Sequence, residues 1–239
     1  MPLVSYSAYW VARAALTHRA QGMAVFLGRL WPQSLTAGQL RRVFEQAKFP
    51  GAPMVNGDDS RPIDDSELCR MLGFSSCEAL DFDQSEGANY AHNLNDLPVP
   101  PGTEGRFGAV YNFGTMEHIF HVPNFLANVF HLLAPGGVVL HSAPSSNLVE
   151  HGFYQLSPTL FYDYYAANQF DILECTIVRH PQGKVGERAE FFPFNTFEHA
   201  PDPLYGKLND GVYDVVFLAR KTEKSTCDRI PTQFRYQRK

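Results

Sequence analysis

Phe107-Gly108-Ala109-Val110-Tyr111-Asn112-Phe113-Gly114-Thr115-Met116-Glu117-His118-Ile119 decides the fold of this chain. Residues 107–113 have the apolar and aromatic content of a buried central strand. Gly114 follows at once, where a tight turn favours a residue without a Cβ. Pro123 then stands where the first turn of a helix tolerates it, and Phe125, Leu126, Val129, Phe130 and Leu133 return at helical spacing before Pro135-Gly136-Gly137 stops the run. Residues 138–143 read as the next strand. A helix crossing between two buried strands predicts a parallel pair, and a sheet of such pairs needs helices on both faces.

The same pattern extends toward the N-terminus. Residues 9–20 predict a short helix and 23–27 a buried first strand that ends at Gly28. Thr36 is placed to cap a helix whose Ala37, Leu40, Val43, Phe44 and Ala47 form an apolar stripe, with Arg41, Arg42 and Glu45 facing outward. Residues 49–62, rich in Gly, Pro, Asn and Asp, predict an exposed excursion. A short helix capped by Asp65 or Ser66 runs through Leu72, and a strand around residues 78–80 ends near Asp81, before a loop over 83–103.

Toward the C-terminus, an irregular segment over residues 144–156 precedes a helix begun by Ser157-Pro158. Strands follow at 171–178 and 212–219, the turns between them letting the last return antiparallel. The expected architecture is α/β, a three-layer sandwich around a mostly parallel sheet with an antiparallel final strand. One domain over residues 1–239 is expected, with an N-terminal helical extension at 1–22 and a C-terminal tail at 221–239 whose Arg229, Arg235, Arg238 and Lys239 are solvated.

Composition narrows the function classes. Hydrophobic residues make up 44% of the 239 and charged ones 19%, a balance that buries a core rather than leaving the chain disordered. The net charge is −5 and the 20 Lys and Arg residues are scattered, so no basic stripe neutralises a row of phosphates and nucleic acid is not an expected partner. Arg13, His18 and Arg19 interrupt the early apolar run, so no membrane span is expected and residence in the cytoplasm is. Cys69, Cys77, Cys175 and Cys227 are too widely spaced for a zinc or redox pair and read as free thiols. Of nine histidines, His118 and His121 lie closest at i and i+3 without a firmly placed carboxylate, so no metal site is expected.

In such a sheet the ligand crevice lies outside the carboxyl ends of the parallel strands, which directs attention to Gly28, Asp81 and Gly114. Asp81 either receives ribose hydroxyls or caps its own turn. Asn93 and Asn95 either read an adenine edge or organise their loop through the backbone. His118 is able to take a proton near neutral pH, and a structural, hydrogen-bonded histidine is the alternative. Glu117 reads as a cap for the helix near Pro123. His151 and Tyr154 are candidates for holding a compact acceptor, with loop packing as the alternative.

The stretch 107–119, the Pro135-Gly136-Gly137 turn, Asp81, Glu86-Gly87-Ala88, His92-Asn93-Leu94-Asn95 and the run from His151 to Pro158 together resemble class I S-adenosylmethionine-dependent methyltransferases over about residues 23–219. The resemblance implies a Rossmann-like fold with S-adenosyl-L-methionine as cofactor. It implies cofactor contacts at Gly28, Asp81, Asn93, Asn95, Asn112, Gly114 and Thr115, and catalysis or acceptor binding at His118, His151 and Tyr154. The implied function is a biosynthetic small-molecule methyltransferase. Leu27-Gly28-Arg29-Leu30-Trp31-Pro32 departs from the family, standing where a loop with several glycines approaches the cofactor. That departure leaves room for two other functions on the same fold, an intramolecular cyclase releasing methylthioadenosine and a non-catalytic binding protein. Neither the acceptor nor the oligomeric state is specified.

Overall fold

The computed structural model describes residues 5–29, 35–181, 189–195, 208 and 210–237. Leu30, Trp31 and Pro32 of the altered loop lie outside the described residues, as do Arg238 and Lys239. The described elements run α1 (Ser5–Leu16), β1 (Gly22–Leu27), β2 (Leu35–Thr36), α2 (Ala37–Ala47), β3 (Pro62–Ile63), α3 (Asp65–Met71), β4 (Phe74–Asp81), β5 (Tyr90–Ala91) and β6 (Phe107–Phe113). They continue with α4 (Val122–Leu132), β7 (Leu133–Ser146), α5 (Pro158–Ala167), β8 (Asp171–His180), β9 (Glu190–Pro193) and β10 (Val212–Arg220).

Among the described residues, eight strands form one sheet in the order β5-β4-β1-β6-β7-β10-β8-β9. Strands β5, β4, β1, β6 and β7 are mutually parallel. β10 inserts antiparallel between β7 and β8, and β9 adds an antiparallel edge to β8. This is the Rossmann-like three-layer sandwich with the antiparallel final strand that the alternation of strands and helices predicts.

Period-two alternation divides the core between the two faces. Ala24, Phe26, Ala109, Tyr111, Leu140 and Val216 pack toward the layer of α1, α2 and α3. Val25, Leu27, Val110, Val139, Val215 and Phe217 pack toward α4 and α5. The N-terminal helix contributes Tyr6, Trp10 and Val11 to the first of these cores, so it is an integral part of that layer. Thr36 forms a reciprocal capping box with Gln39 at the start of α2. In the excursion after α2, Arg41 donates to the carbonyls of Val55 and Gly57, and Arg61 joins Asn56 O to the Glu67 carboxylate.

Several boundaries differ from the sequence expectation: the first helix occupies Ser5–Leu16 where 9–20 was expected, and α3 is capped by Asp64, which accepts from Glu67 N, where Asp65 or Ser66 was expected. β4 begins at Phe74, earlier than 78, because parallel pairing with β1 recruits Phe74 and Ser76 across a register shift at Ser75. β7 begins at Leu133 and takes Pro135-Gly136-Gly137 in as an irregularity in its pairing with β6. The segment after β10, expected as a solvated tail, is docked at Arg229 and again at Phe234, whose N donates to Asp163 Oδ2 at 3.2 Å. Lys221 donates to the carbonyls of Phe130 and Leu133, and the Asn168 side chain donates to Arg229 O and accepts from Arg229 N. Beyond this clasp Ile230 is exposed.

Candidate active site

The paired register brings the three expected strand ends into one row. Leu27 lies opposite Leu80 on β4 and opposite Asn112 on β6, so Gly28, Asp81 and Gly114 emerge side by side at the carboxyl edge. Hydrogen bonds lace these ends together. Gly28 N donates to Leu80 O at 2.8 Å and Thr115 Oγ1 to Leu27 O at 2.6 Å. Gly28 has φ +86°, and a Cβ there would stand 2.6 Å from Thr115 Oγ1, so both conformation and space demand glycine.

Asp81 Oδ2 accepts from Arg29 N at 2.7 Å and Oδ1 from Phe82 N at 2.6 Å. Each carboxylate oxygen has a further lone pair, so the partly exposed group can still accept from a ribose diol. The acceptor chemistry at Asp81 and the glycine-only position beside it therefore fit the nucleoside portion of S-adenosylmethionine. Arg29 turns its guanidinium away to the buried Asp65 at 2.7 Å.

Asn112 is fully buried and acts from below the crevice. Its Oδ1 accepts from Thr115 N and Met116 N at 3.1 and 3.2 Å, and its Nδ2 faces His141 Nδ1 at 3.2 Å. That arrangement makes His141 Nδ1 the acceptor and leaves Nε2–H to donate to Tyr165 OH at 2.6 Å. Burial holds His141 down at about 3, so it stays neutral. Asn112 thus shapes the Gly114-Thr115 turn, and its amide is engaged inside the core.

Asn93 and Asn95 organise their loop. Asn93 Oδ1 accepts from the backbone and side-chain nitrogens of Asn95, while Asn95 Oδ1 accepts from His121 N and Asn95 O from Asn124 Nδ2. The loop is thereby fastened to the start of α4. His121, which the sequence pairs with His118, instead caps that helix by accepting from Asn124 N. Glu117 is accordingly not the cap expected near Pro123.

Glu117 instead meets two imidazoles. One ligand-type atom from each of Glu117, His118 and His151 lies within 4.8 Å of the others. Glu117 is fully buried, neither carboxylate oxygen has a hydrogen-bond partner among the described residues, and His151 Nε2 stands 3.4 Å from Oε1 without hydrogen-bond geometry. Burial raises Glu117 to about 7. Burial and the neighbouring His151 lower His118 from its ordinary value. The rings of His118 and His151 meet edge to face at 5.1 Å.

A clasp between two loops creates this meeting. Phe153 N donates to Glu117 O at 2.7 Å, and a Cβ on Gly152 would stand 2.8 Å from that same carbonyl. Tyr154 OH donates to Phe120 O at 2.9 Å, and the exposed rings of Phe120 and Phe153 cross edge to face at 5.7 Å. His118, His151 and Tyr154 are thus gathered at one corner, which the chain enters just after Thr115. The sequence suggested a helix cap for Glu117, although an acid set between Met116 and the His118-Ile119 pair is also a signal of a buried carboxylate.

The profile of a family described as a methyltransferase domain matches residues 59–190, more than half of the chain. No curated protein matches it. Among solved structures it is similar to the 1,6-didemethyltoxoflavin-N1-methyltransferase of Burkholderia thailandensis, at 16% identity over 91% of this chain and 80% of that one, with a TM-score of 0.44. It is also similar to an S-adenosylmethionine-dependent methyltransferase from Mesorhizobium loti, at 14% identity over 90% and 98% of the two chains and a TM-score of 0.44. A third likeness is to the [4+2]-cyclase SpnF, at 12% identity over 90% and 80%, with a TM-score of 0.46.

Proposed function

The chain belongs to the methyltransferase-domain family, an S-adenosylmethionine-using transferase of class I fold, and from that premise we propose that it methylates a small-molecule acceptor in biosynthesis. The observation that carries this reading is the continuity of the carboxyl edge. Gly28, Asp81 and Gly114 share one row, and the Glu117, His118, His151 and Tyr154 corner begins two residues past Thr115. One end has the chemistry to hold a nucleoside and the other the chemistry to handle an acceptor.

The sulfonium of the bound cofactor supplies an already activated methyl group. The chain's own part is alignment, exclusion of water and management of the acceptor's proton. Asp81 accepts the ribose hydroxyls, and the Gly114-Thr115 turn, fixed by Asn112, borders the amino acid portion. Phe120, Phe153 and Tyr154 offer an aromatic wall to the acceptor, while the His118 and His151 corner meets its reacting atom. Four cysteines, all free, match a reducing cytoplasmic setting. No helix among the described residues is long and apolar enough to cross a membrane.

Mass spectrometry of incubations with S-adenosylmethionine, with and without candidate acceptors, tests the reading. The expected result is S-adenosylhomocysteine only when an acceptor is present, together with a gain of one methyl group on that acceptor. His118→Asn is expected to slow turnover more than it weakens cofactor binding. Methylthioadenosine released without any acceptor overturns methyl transfer in favour of intramolecular displacement.

A further inference from the structure

A buried carboxylate with no hydrogen-bond partner is among the most unfavourable arrangements a fold can hold, because a charge taken from water needs a counter-charge or a full set of donors. Glu117 has neither in its immediate hydrogen-bond geometry. His151 approaches only one of its oxygens, at 3.4 Å and off the hydrogen-bonding direction, so the other oxygen is unsupported whichever state His151 is in. The loop after β7 packs directly against Glu117, where a Cβ on Gly152 would stand 3.0 Å from the Glu117 Cγ. The backbone carbonyl of Glu117 is held by Phe153 N, and Gly152 lies against it too closely for any side chain.

We propose that Glu117, His118 and His151 form the binding site of one divalent transition-metal ion, to which a hydroxyl of the acceptor adds as a further ligand. This rests on the methyl-transfer reading and specifies how the corner treats the acceptor, through a chelate in place of a free imidazole base. The three donor atoms already lie within 4.8 Å of one another, so convergence on an ion needs side-chain adjustment and no movement of the fold. Both imidazoles are exposed, which provides the entry path, while the carboxylate supplies the buried charge behind them. Two nitrogens and one oxygen form a donor set suited to Zn2+ and its first-row neighbours, whereas Mg2+ and Ca2+ favour oxygen alone. Three protein ligands leave a coordination position open, as at catalytic zinc sites.

In that position an acceptor hydroxyl becomes more acidic and releases its proton to water. A lone pair of its oxygen then forms the bond to the methyl carbon as the carbon–sulfur bond breaks, and that electron pair stays on sulfur to leave S-adenosylhomocysteine. The positive charge of the sulfonium is discharged and no oxidant or reductant is required.

The test is titration of chelator-stripped protein with Zn2+ alone, by calorimetry, and with Co2+ alone, by visible absorption. We expect one Zn2+ per chain and Co2+ bands without the thiolate charge-transfer absorption that Cys69, Cys77 or Cys227 would add. The exposed-residue variants His118→Asn and His151→Asn should each weaken Zn2+ binding by at least ~10-fold, the lower end of what even a residue supporting a ligand costs. Circular dichroism confirms that they remain folded, and Glu117→Gln is read only if it also does. Absence of binding, binding unchanged in both folded histidine variants, or a thiolate band would each overturn the proposal. S-adenosylhomocysteine affinity measured on the same stripped protein tests methyl transfer separately. Cofactor binding without Zn2+ binding sinks the ion site alone, and Zn2+ binding without cofactor binding sinks the reading beneath it.

Discussion

At the ends of β1, β4 and β6 the protein holds itself together, since Gly28, Asp81, Asn112 and Thr115 are joined by hydrogen bonds to neighbouring backbone. Two residues farther on, Glu117 is fully buried and its side chain has no such bond among the described residues. The first region is preorganised, presenting a guest with fixed positions at little further ordering cost. The second has unmet electrostatic demand, and only a guest or a proton relieves it. Stability should therefore depend on the first region and chemistry on the second.

Asn112→Ala tests that division with the largest expected effect. It removes the acceptor for Thr115 N and Met116 N and the partner of His141 Nδ1 together, the last two in the buried interior. With about 1–3 kcal/mol for each group left unsatisfied, a loss of roughly 4 kcal/mol is expected, seen as a fall in melting temperature of about 10 °C. His118→Asn at the exposed corner should stay within about 0.5 kcal/mol of the wild type. Equal destabilisation by the two variants would erase the contrast.

Acid sharpens the same contrast through His141. In the unfolded chain its imidazole titrates near 6.5, whereas burial holds it at about 3 in the fold. Above the higher value neither state is protonated and the group adds no pH dependence. Between the two values the unfolded chain takes up a proton that the native one does not, so stability falls as pH falls, by about 1 kcal/mol per pH unit. Urea denaturation at pH of about 6.5 and about 4.5 should show roughly 2 kcal/mol more loss for wild type than for His141→Gln. An unchanged difference would mean that His141 is not buried neutral.

The self-contained region was also the more legible one in sequence. Strand 107–113 coincides with β6 because its apolar residues and Gly114 mark both ends locally. The Thr36 cap and the Ser157-Pro158 helix start likewise depend on neighbours a few residues away. The Glu117 corner depends on a partner 34 residues later (151 minus 117), brought in by the Phe153 to Glu117 clasp, and nothing local announces that contact. Asn112 and Asn95 are instructive in the other direction. Their positions suit a cofactor loop, yet an amide able to bond with backbone on several sides is drawn first into organising the turn.

Gly28→Ala probes the junction between scaffold and crevice. A left-handed backbone costs an L-residue about 1–2 kcal/mol, and the added methyl must displace Thr115 Oγ1 from Leu27 O. Roughly 2 kcal/mol of destabilisation is expected, with weaker S-adenosylhomocysteine binding in calorimetry. Wild-type stability in this variant would show that the first region does not require glycine there.

Asp81→Asn carries the smallest expected effect and asks the most specific question. The carboxylate accepts one backbone N–H on each oxygen, and the remaining lone pairs are those proposed for the ribose. An amide in its place has one accepting oxygen, so it cannot satisfy Arg29 N, Phe82 N and both hydroxyls together. Because Asp81 is partly exposed, water replaces part of what is lost and the fold should survive with a cost of about 1 kcal/mol. Binding has no such substitute once the nucleoside covers the site, so cofactor affinity should fall by roughly 10-fold, about 1.4 kcal/mol. Zn2+ affinity at the Glu117 corner should be unchanged, since no ligand of that site touches Asp81. A folded Asp81→Asn protein with undiminished cofactor affinity would remove the carboxylate from the nucleoside site and leave Asp81 as a clamp between the turns after β1 and β4.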